Sequence, residues 1–291
     1  MKKIVIIGSG PAGISASLYT IRAGIDTTVI SKGTGALGKA EAIENYYGVG
    51  SISGTELHLR GIEAAKKLGV KFVEDEVVGL NFYENYEIEG KSQKYSADAV
   101  ILATGSSRRA PKIKGITEFE AKGVSYCAVC DAFAAKGTHA VIIGAGEYAL
   151  HEADALSGVA QKITILTNGI KEQKLDDEVF KAHGYEVIDD EIEEICGDAR
   201  VSSVKFSNGN HLPCSMVFIA LGVAGSVELA RKVGAYVENG KLMIDGDMSL
   251  GLPGLYAAGD CTGGLLQISK AVYEGTKAAF SAISFVKRLG E

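Results

Sequence analysis

The stretch Gly8-Ser9-Gly10-Pro11-Ala12-Gly13, called here the first glycine turn, decides the fold of this chain. It follows the continuous apolar run Lys3–Ile7, which predicts a strand buried on both faces. It precedes a periodic apolar stretch, residues 14–23, which predicts a helix. In such a unit the glycines let the backbone approach a pyrophosphate at the helix N-terminus. The stretch therefore predicts a dinucleotide-binding unit, with a tight turn that binds nothing as the alternative.

The second strand of this unit is predicted at residues 27–30. An acidic residue that binds the ribose is expected at its end, about 20 residues after the turn. Ser31 stands there instead. Either a hydroxyl and loop amides hold the ribose, or that contact is missing.

The same plan returns later in the chain. The apolar strand His139–Ile143, the second glycine turn Gly144-Ala145-Gly146-Glu147-Tyr148-Ala149, a helix and the strand Lys162–Leu166 predict an internal duplication. Glu147 would repel a pyrophosphate at this turn. Thr167-Asn168-Gly169 offers neither an acidic residue for a 2′-hydroxyl nor an arginine for a 2′-phosphate. We expect a retained fold with a degraded nicotinamide pocket, unless side chains elsewhere compensate.

Shortly before the second unit lies the cysteine motif, Cys127-Ala128-Val129-Cys130-Asp131. Two cysteines at this spacing can close and reopen a disulfide, in which one thiolate attacks and the other resolves. Asp131 could supply or remove the proton that the exchange requires. The alternatives are half a zinc site or an inert pair. A zinc site would show a second ligand pair downstream, whereas the other cysteines stand singly, at Cys196, Cys214 and Cys261.

Length and composition limit the class of protein. The 291 residues suffice for two domains, and a net charge of −6 argues against nucleic-acid binding. No apolar run reaches the roughly 18 residues of a membrane span, so no membrane association is expected. Five cysteines, an odd number, do not suggest a secreted disulfide scaffold, and a reducing cytoplasm fits best.

Two segments read as linkers between domains. Residues 106–114 are polar and basic, and residues 222–225 are the second candidate. The basic cluster is either a solvated surface or a docking patch for an acidic partner.

A last buried strand, predicted at 255–260, carries Asp260 at its carboxyl end, where ligands of such sheets bind. Asp260 could hydrogen-bond a cofactor or merely cap a turn.

Together these motifs make the chain resemble the low-molecular-weight thioredoxin reductases and their flavoprotein relatives, nearly end to end. The motifs that carry the resemblance are the first glycine turn, Glu44-Asn45-Tyr46, Ala103-Thr104-Gly105, the cysteine motif, Gly144-Ala145-Gly146 and Ala258-Gly259-Asp260. The resemblance implies an α/β fold of two dinucleotide-binding, Rossmann-like domains of thioredoxin-reductase type, three-layer sandwiches with extra antiparallel strands. It implies an FAD-binding domain at 1–111 and 223–291, and a redox-disulfide domain with a degenerate NADPH-binding fold at 112–222.

The resemblance also implies roles for single residues. Cys130 would approach the flavin, Cys127 would attack the partner disulfide, and Asp131 would be the acid/base. Asp260 would lie near the ribityl chain, and Asn45 and Gln267-Ile268 near the flavin ring. No metal site is implied. The residues expected to bind FAD are Gly8, Ser9, Gly10, Pro11, Ala12, Gly13, Ser31, Lys32, Gly35, Leu37, Asn45, Val77, Ala103, Thr104, Gly105, Gly259, Asp260, Gln267 and Ile268.

The departures from the family pattern point to one branch. Members that use NADPH usually carry His-Arg-Arg where this chain has Thr167-Asn168-Gly169. Ala132, Leu266 and Tyr47 replace the family's usual Gly, Arg and Pro. The sequence is similar to the ferredoxin-dependent flavin thioredoxin reductases, which have lost NADPH binding. This similarity implies thioredoxin as the substrate, ferredoxin as the electron donor and a homodimer.

Other functions stay open at this point. The chain could be an NADPH-dependent reductase with an unusual pocket, a flavin disulfide reductase with another substrate, or a non-catalytic redox sensor. If the donor is ferredoxin, which is usually acidic, docking to this acidic chain requires a local basic patch. The candidates for that patch are Arg108, Arg109, Lys112 and Lys114.

Overall fold

The computed structural model describes residues 2–105, 113–120, 122–126, 128–171, 174–221, 225–238 and 240–289, without the side chains of Lys39, Val129 and Cys130. The chain divides into two compact units. Unit 1 comprises Met1–Ser107 and Gly225–Glu291, and unit 2 comprises Arg108–Ala224. The predicted boundaries at 111/112 and 222/223 lie outside the described residues, as do most of the two predicted linkers.

The elements follow one another along the chain in three blocks. The first part of unit 1 contains β1 (Lys3–Ile7), α1 (Pro11–Arg22), β2 (Asp26–Ser31), α2 (Gly54–Lys67), β3 (Lys71–Glu74), β4 (Val77–Phe82), β5 (Tyr86–Gly90), β6 (Lys94–Ala97) and β7 (Ala99–Leu102). Unit 2 contains β8 (Val124–Ser125), α3 (Ala128–Asp131), β9 (His139–Ile143), α4 (Glu147–Leu156), β10 (Lys162–Leu166), α5 (Asp177–Ala182), β11 (Glu186–Ile188), β12 (Ile192–Gly197), β13 (Val201–Phe206), β14 (His211–Pro213) and β15 (Met216–Ile219). The second part of unit 1 contains α6 (Ser226–Lys232), β16 (Val237–Glu238), β17 (Lys241–Leu242), β18 (Leu255–Ala257) and α7 (Ile268–Arg288).

Unit 1 is built on a parallel sheet of order β18-β7-β1-β2-β3. Its central strands read as unbroken apolar runs because both faces of the sheet are covered. Helices α1 and α7 cross at near backbone contact, since a Cβ added to Gly275 would lie 2.1 Å from the Ala12 carbonyl oxygen. An antiparallel sheet of order β4-β5-β6 adds a further layer.

Unit 2 repeats this architecture. Its parallel sheet has the order β11-β10-β9-β15-β8, and an antiparallel sheet of order β12-β13-β14 accompanies it. The apolar side chains of the two sheets share one core, to which Val141, Val204 and Val217 contribute fully buried side chains. Parallel sheets with extra antiparallel strands confirm the predicted fold class.

Several predicted boundaries were wrong by a few residues. The helix predicted from residue 14 begins at Pro11, because proline is well suited to the first helical position. The strand predicted at 255–260 ends at Ala257, because Gly259 takes a positive φ of 88° and starts a turn. Within the described ranges, none of the helices combines the length and apolar character that a bilayer-spanning segment needs.

Candidate functional site

The first glycine turn connects β1 to α1 and leaves space over the helix N-terminus. Gly8 has a φ of 112°, and its added Cβ would lie 2.2 Å from the Ala103 carbonyl oxygen. A Cβ on Gly13 would lie 1.9 Å from the Gly8 carbonyl oxygen. Gly10 differs, because a Cβ there would meet no atom within 4 Å. Two glycines therefore permit close packing, and the third leaves room where free backbone N–H groups can bind an anionic group.

A buried histidine supports this turn. His58 on α2 is 4% exposed, and its Nε2 lies 3.0 Å from the Oγ of the buried Ser9. Its Nδ1 is buried and has no hydrogen-bond partner in the described part of the chain. Burial lowers the pKa of His58, against the opposing effect of a hydrogen bond to Ser9. His58 was not predicted as a site residue, although the buried positions Gly54, His58 and Ala65 share one face of α2.

A buried carboxylate that was not predicted from the sequence, that of Glu76, lies beside the end of β2. The Lys32 ammonium forms an ion pair with the buried carboxylate of Glu76, which follows β3. The backbone N–H of Asp75 donates to the Ser31 carbonyl oxygen at 3.2 Å, which holds this segment and Val77 beside the end of β2. The Gly8 N–H donates to the Ile30 carbonyl oxygen at 2.8 Å, so this end of β2 also adjoins the first glycine turn.

A buried ion pair supports the Asp260 segment, which forms a 3-10 turn, Asp260–Thr262, after Gly259. The Glu274 carboxylate, 8% exposed, accepts the Gly259 N–H at 2.8 Å and the Thr262 hydroxyl at 2.9 Å. The Lys270 ammonium lies 2.8 Å from that carboxylate and 2.8 Å from the Gly259 carbonyl oxygen. Lys270 and Glu274, neither predicted, are four residues apart on α7, and that spacing is their only signal in the sequence.

Other predicted FAD residues meet in pairs or lie in nearby loops. The Asn45 side-chain amide donates to the Gln267 side chain at 3.2 Å, and an added Cβ on Gly259 would lie 3.1 Å from the Ala12 Cβ. Thr104 and Ser226 exchange hydrogen bonds through their backbone N–H groups and hydroxyls. The remaining predicted residues are placed as follows: Gly35 has a φ of 59°, Leu37 opens a 3-10 turn, Gly105 has a φ of 79° and Ile268 opens α7.

The cysteine motif lies in unit 2. Cys127 lies outside the described residues, and the backbone of Cys130 belongs to the short helix α3. Asp131, at the end of α3, is exposed and accepts a hydrogen bond from the Ser125 hydroxyl at 2.5 Å. The Asp131 carboxylate is therefore held by Ser125 at the end of the cysteine motif and is open to solvent.

Two of the other three thiols are poorly suited to redox chemistry. Cys196, Cys214 and Cys261 are free, and the last two are buried. Burial raises the pKa of Cys214 to about 12 and that of Cys261 to about 11. Because the thiolate is the reactive form, Cys214 and Cys261 are unreactive at neutral pH.

The second glycine turn opens α4, with Glu147 in the first helical turn. At the end of β10, the Thr167 hydroxyl donates to the Asp189 carboxylate. Asn168 has a φ of 52°, and its Oδ1 accepts the Ile192 N–H at 2.7 Å. The hydrogen bond from Thr167 lowers the pKa of Asp189, against the opposing effect of burial. Thr167 and Asn168 therefore form hydrogen bonds with other residues of unit 2. Asp189, at the end of β10, and Glu147, at the start of α4, both bring negative charge.

The predicted basic patch is described in part. Arg108, Arg109 and Lys112 lie outside the described residues. The Lys114 ammonium lies 2.7 Å from Glu194, so its charge is compensated within unit 2. Among the described residues, no group of three or more His, Cys, Asp or Glu side chains is arranged to hold a metal ion.

The family model of the pyridine nucleotide-disulphide oxidoreductases matches residues 2–275. The chain belongs to this family. It is 34% identical to a thioredoxin reductase of Listeria innocua over 99% of this chain and 95% of that protein. The structure of the atypical thioredoxin reductase TRi from Desulfovibrio vulgaris Hildenborough superposes with a TM-score of 0.94, at 36% identity over 99% of each chain. A ferredoxin-flavin thioredoxin reductase from Clostridium acetobutylicum gives a TM-score of 0.73, at 33% identity over 100% of each chain.

Family membership settles the cofactor. Thioredoxin reductases of this family are FAD-binding flavoproteins, which confirms the prediction of FAD for this chain. The open space at Gly10 fits this cofactor, because a diphosphate needs backbone donors without an intervening side chain.

Proposed function

We propose that this chain is a flavin-dependent thioredoxin reductase that takes its electrons from reduced ferredoxin. One reaction cycle converts two reduced ferredoxins, one thioredoxin disulfide and two protons into two oxidised ferredoxins and one thioredoxin dithiol. A homodimer is part of the same proposal, by similarity to the family. The observation that carries the choice of donor is the altered nucleotide pocket of unit 2.

Three features of that pocket support the proposal that it does not bind NADPH. Glu147 brings a carboxylate to the helix start at which a pyrophosphate would bind. Thr167 and Asn168 form hydrogen bonds with Asp189 and Ile192, so their polar groups serve the fold of unit 2. Lys174 lies 3.1 Å from Asp177 and 3.6 Å from Asp189, so its charge is compensated as well. A 2′-phosphate would be repelled by these carboxylates, and the polar side chains that could bind it already form hydrogen bonds or ion pairs within unit 2.

FAD supplies the conversion between a one-electron donor and a two-electron disulfide. In unit 1, the first glycine turn would hold the diphosphate, and Asp260 would bind the ribityl chain. Lys270 and Glu274 would keep the Asp260 segment in place. Asn45 and Gln267, which are hydrogen-bonded to each other, would lie beside the flavin ring.

The cysteine motif would carry out thiol–disulfide exchange with thioredoxin. The Cys127 thiolate attacks one sulfur of the thioredoxin disulfide, and the other thioredoxin sulfur leaves as a thiolate. The Cys130 thiolate then attacks Cys127, which restores the enzyme disulfide and releases the second thioredoxin thiolate. Asp131, held by Ser125 and open to solvent, donates a proton to the leaving sulfur.

An anaerobic titration of the purified holoenzyme tests the donor. The visible flavin absorbance is followed while excess NADPH or NADH is added first and chemically reduced ferredoxin second. We expect the nicotinamides to leave the flavin oxidised and ferredoxin to bleach it. Prompt bleaching by NADPH would instead identify an NADPH-dependent reductase, with nucleotide contacts supplied by other side chains.

Steady-state assays test the substrate and the cysteines. With ferredoxin as donor, the wild-type enzyme should reduce thioredoxin, and Cys127→Ser and Cys130→Ser should each abolish turnover while retaining FAD. Cys196→Ser is the matched control, because it removes a half-buried thiol outside the motif and should leave the rate unchanged. A Cys127→Ser variant with the normal rate would contradict the assigned roles. Absence of turnover with every donor would favour a redox sensor.

A further inference from the structure

The segment after β3 lies at the same edge of the unit 1 sheet as the first glycine turn. Strands β2 and β3 pair in parallel with Ser31 opposite Glu74, and Glu76 follows two residues later. The Gly8 N–H donates to the Ile30 carbonyl oxygen at 2.8 Å, which joins the glycine turn to the end of β2. Ligands of parallel sheets bind at this edge, where a carboxylate after the second strand accepts a hydrogen bond from a ribose hydroxyl. Glu76 brings a carboxylate to that place, although β2 itself ends in serine.

Two neighbouring buried carboxylates in this segment differ in their hydrogen bonds. Asp75 and Glu76 are each 6% exposed. The Asp75 carboxylate accepts the Tyr95 hydroxyl at 2.7 Å, and it also accepts the backbone N–H groups of Glu76 at 2.8 Å and of Ser92 at 3.1 Å. In the described part of the chain, the carboxylate of Glu76 has one partner, the Lys32 ammonium, which contacts its Oε2. Because a buried carboxylate is stable only when donors surround it, Glu76 Oε1 is suited to a donor from a ligand.

The backbone and the charge of Glu76 are both held in place. Its carbonyl oxygen accepts the Lys91 N–H at 2.8 Å, and its N–H donates to Asp75 Oδ1. The Lys32 side chain is 42% exposed, so it pairs with the carboxylate while remaining in contact with water. This pairing matters beside a diphosphate, because an uncompensated carboxylate would repel it. The ion pair offers a fixed hydrogen-bond acceptor without net charge.

We infer that Glu76 binds the adenosine ribose of FAD by accepting a hydrogen bond from the ribose 2′-hydroxyl. The carboxylate that is missing from the end of β2 is thus supplied from the segment after β3, the neighbouring strand of the sheet. The inference uses the FAD that family membership assigns to this chain. It does not depend on the proposed electron donor or on the proposed substrate.

The test compares ADP with 2′-deoxy-ADP, which differ by this one hydroxyl group. Each nucleotide competes with FAD for the full-length apoprotein, after the protein has been shown to regain the holoenzyme spectrum with FAD, and flavin fluorescence reports the displaced cofactor. The wild type should bind ADP at least about tenfold more tightly than 2′-deoxy-ADP, because a hydrogen bond to an ionised acceptor contributes about that much. Glu76→Ala should reduce this ratio to less than about twofold.

The ratio separates recognition of the hydroxyl from damage to the fold. A variant with a distorted site would bind ADP and 2′-deoxy-ADP more weakly by the same factor and would keep the wild-type ratio. Glu76→Gln keeps an uncharged acceptor of the same shape, and it should give an intermediate ratio of about threefold, since hydrogen bonds between neutral groups are weaker.

Two further variants address the alternatives. Ser31→Ala removes the hydroxyl that could otherwise hold the ribose, and it should keep the wild-type ratio. Glu74→Gln is the matched control, because it neutralises an exposed carboxylate two residues before Glu76, and it should keep the ratio as well.

A wild-type ratio near one, or a wild-type ratio retained in both Glu76→Ala and Glu76→Gln, would overturn the inference. A ratio lost in Ser31→Ala alone would also overturn it and would assign the ribose to that hydroxyl. If Glu76→Ala does not fold, Glu76→Gln decides by the same criterion. These binding measurements omit ferredoxin, NADPH and thioredoxin, so their outcome is distinguishable from a failure of the proposed function.

Discussion

The two glycine turns share one plan but differ in what lies beyond them. In unit 1, Gly10 opens onto free space, and Ser9 and His58 form a buried polar contact beneath it. In unit 2, Glu147 occupies the helix start, and the same helix directs Tyr148 and Glu152 to the cysteine motif. Under the proposed function, unit 2 keeps the plan of a nucleotide-binding unit but serves as a scaffold for the neighbouring cysteine motif.

The largest effect that would test this comparison concerns the buried ion pair of unit 1. Lys270→Met leaves the Glu274 carboxylate buried without its cation, and we expect a loss of about 3–5 kcal/mol in the stability of unit 1. Hydrogen exchange read by mass spectrometry reports the two units separately. Unit 2 should keep its protection, and the matched variant Lys114→Met, which breaks an exposed pair, should leave both units unchanged. Equal loss in both units would show that they unfold together.

The next effect concerns the turns themselves. Gly10→Ala adds a methyl group where the structure has free space, so we expect apoprotein stability to change by less than about 1 kcal/mol. FAD affinity should fall about a hundredfold, or about 2.7 kcal/mol, because the methyl group occupies the space of the diphosphate. Fluorescence titration of the apoprotein with FAD measures the affinity. Gly146→Ala, at the helix cap of the second glycine turn, should leave FAD affinity unchanged. An equal loss in both variants would contradict the assignment of FAD to unit 1.

A smaller effect tests whether the end of β10 has become structural. Asn168→Ala removes the hydrogen bond to the Ile192 N–H and puts alanine at a φ of 52°. We expect a loss of about 1–2 kcal/mol in unit 2, measured by hydrogen exchange in β12, with normal FAD content. Asn168→Gly loses the same hydrogen bond but adopts the positive φ without strain, so its loss of stability should be about half that of Asn168→Ala. No loss in either variant would leave Asn168 available for a ligand.

The smallest effect is a dependence of stability on pH. Burial lowers the pKa of His58 from its ordinary 6.5, so the unfolded chain takes up this proton first as the pH falls. Stability contributed by His58 is full above about pH 6.5 and decreases below it, by at most about 1.4 kcal/mol per pH unit. His58→Leu should remove this decrease. Urea unfolding of the two apoproteins at pH 7.5 and 5.5 measures the difference.

His139 serves as an internal control for that experiment. Burial lowers its pKa too, but it belongs to unit 2 and is present in both proteins, so its contribution cancels. A wild type and a His58→Leu variant with parallel pH dependences would show that His58 takes up its proton equally in the folded and unfolded states, and therefore that it is not buried in solution.

The fold was largely predictable because the main strands of both units are marked by local sequence patterns. The apolar runs Lys3–Ile7, His139–Ile143 and Lys162–Leu166 coincide with β1, β9 and β10, since strands buried on both faces need continuous apolar sequence. The start of α1 was predicted three residues late, because its apolar periodicity becomes visible only after the first glycine turn. The short helix α3 was missed, since four residues carry no periodicity.

The supporting side chains of the site were not predictable in the same way. Ser9 and His58 are 49 residues apart, and Ala128 and Glu152 are 24 apart, so their contacts depend on how whole elements pack. The motifs predict which residues meet a ligand, because backbone geometry near a phosphate or a thiol restricts residue type. Nothing local in the sequence marks Glu152 as a buried carboxylate.

The close crossing of α1 and α7 has a consequence for how the protein is made. Gly275 meets Ala12 at backbone distance, and β18 completes a sheet that begins with β1. The ribosome must therefore synthesise all of unit 2 before the N-terminal segment can find its partners. At about 5–20 residues per second this interval lasts roughly 10–30 seconds. Unit 2 is complete in sequence first, so the nascent chain carries its cysteine motif before the FAD-binding unit can close, and flavin loading is a late event in biosynthesis.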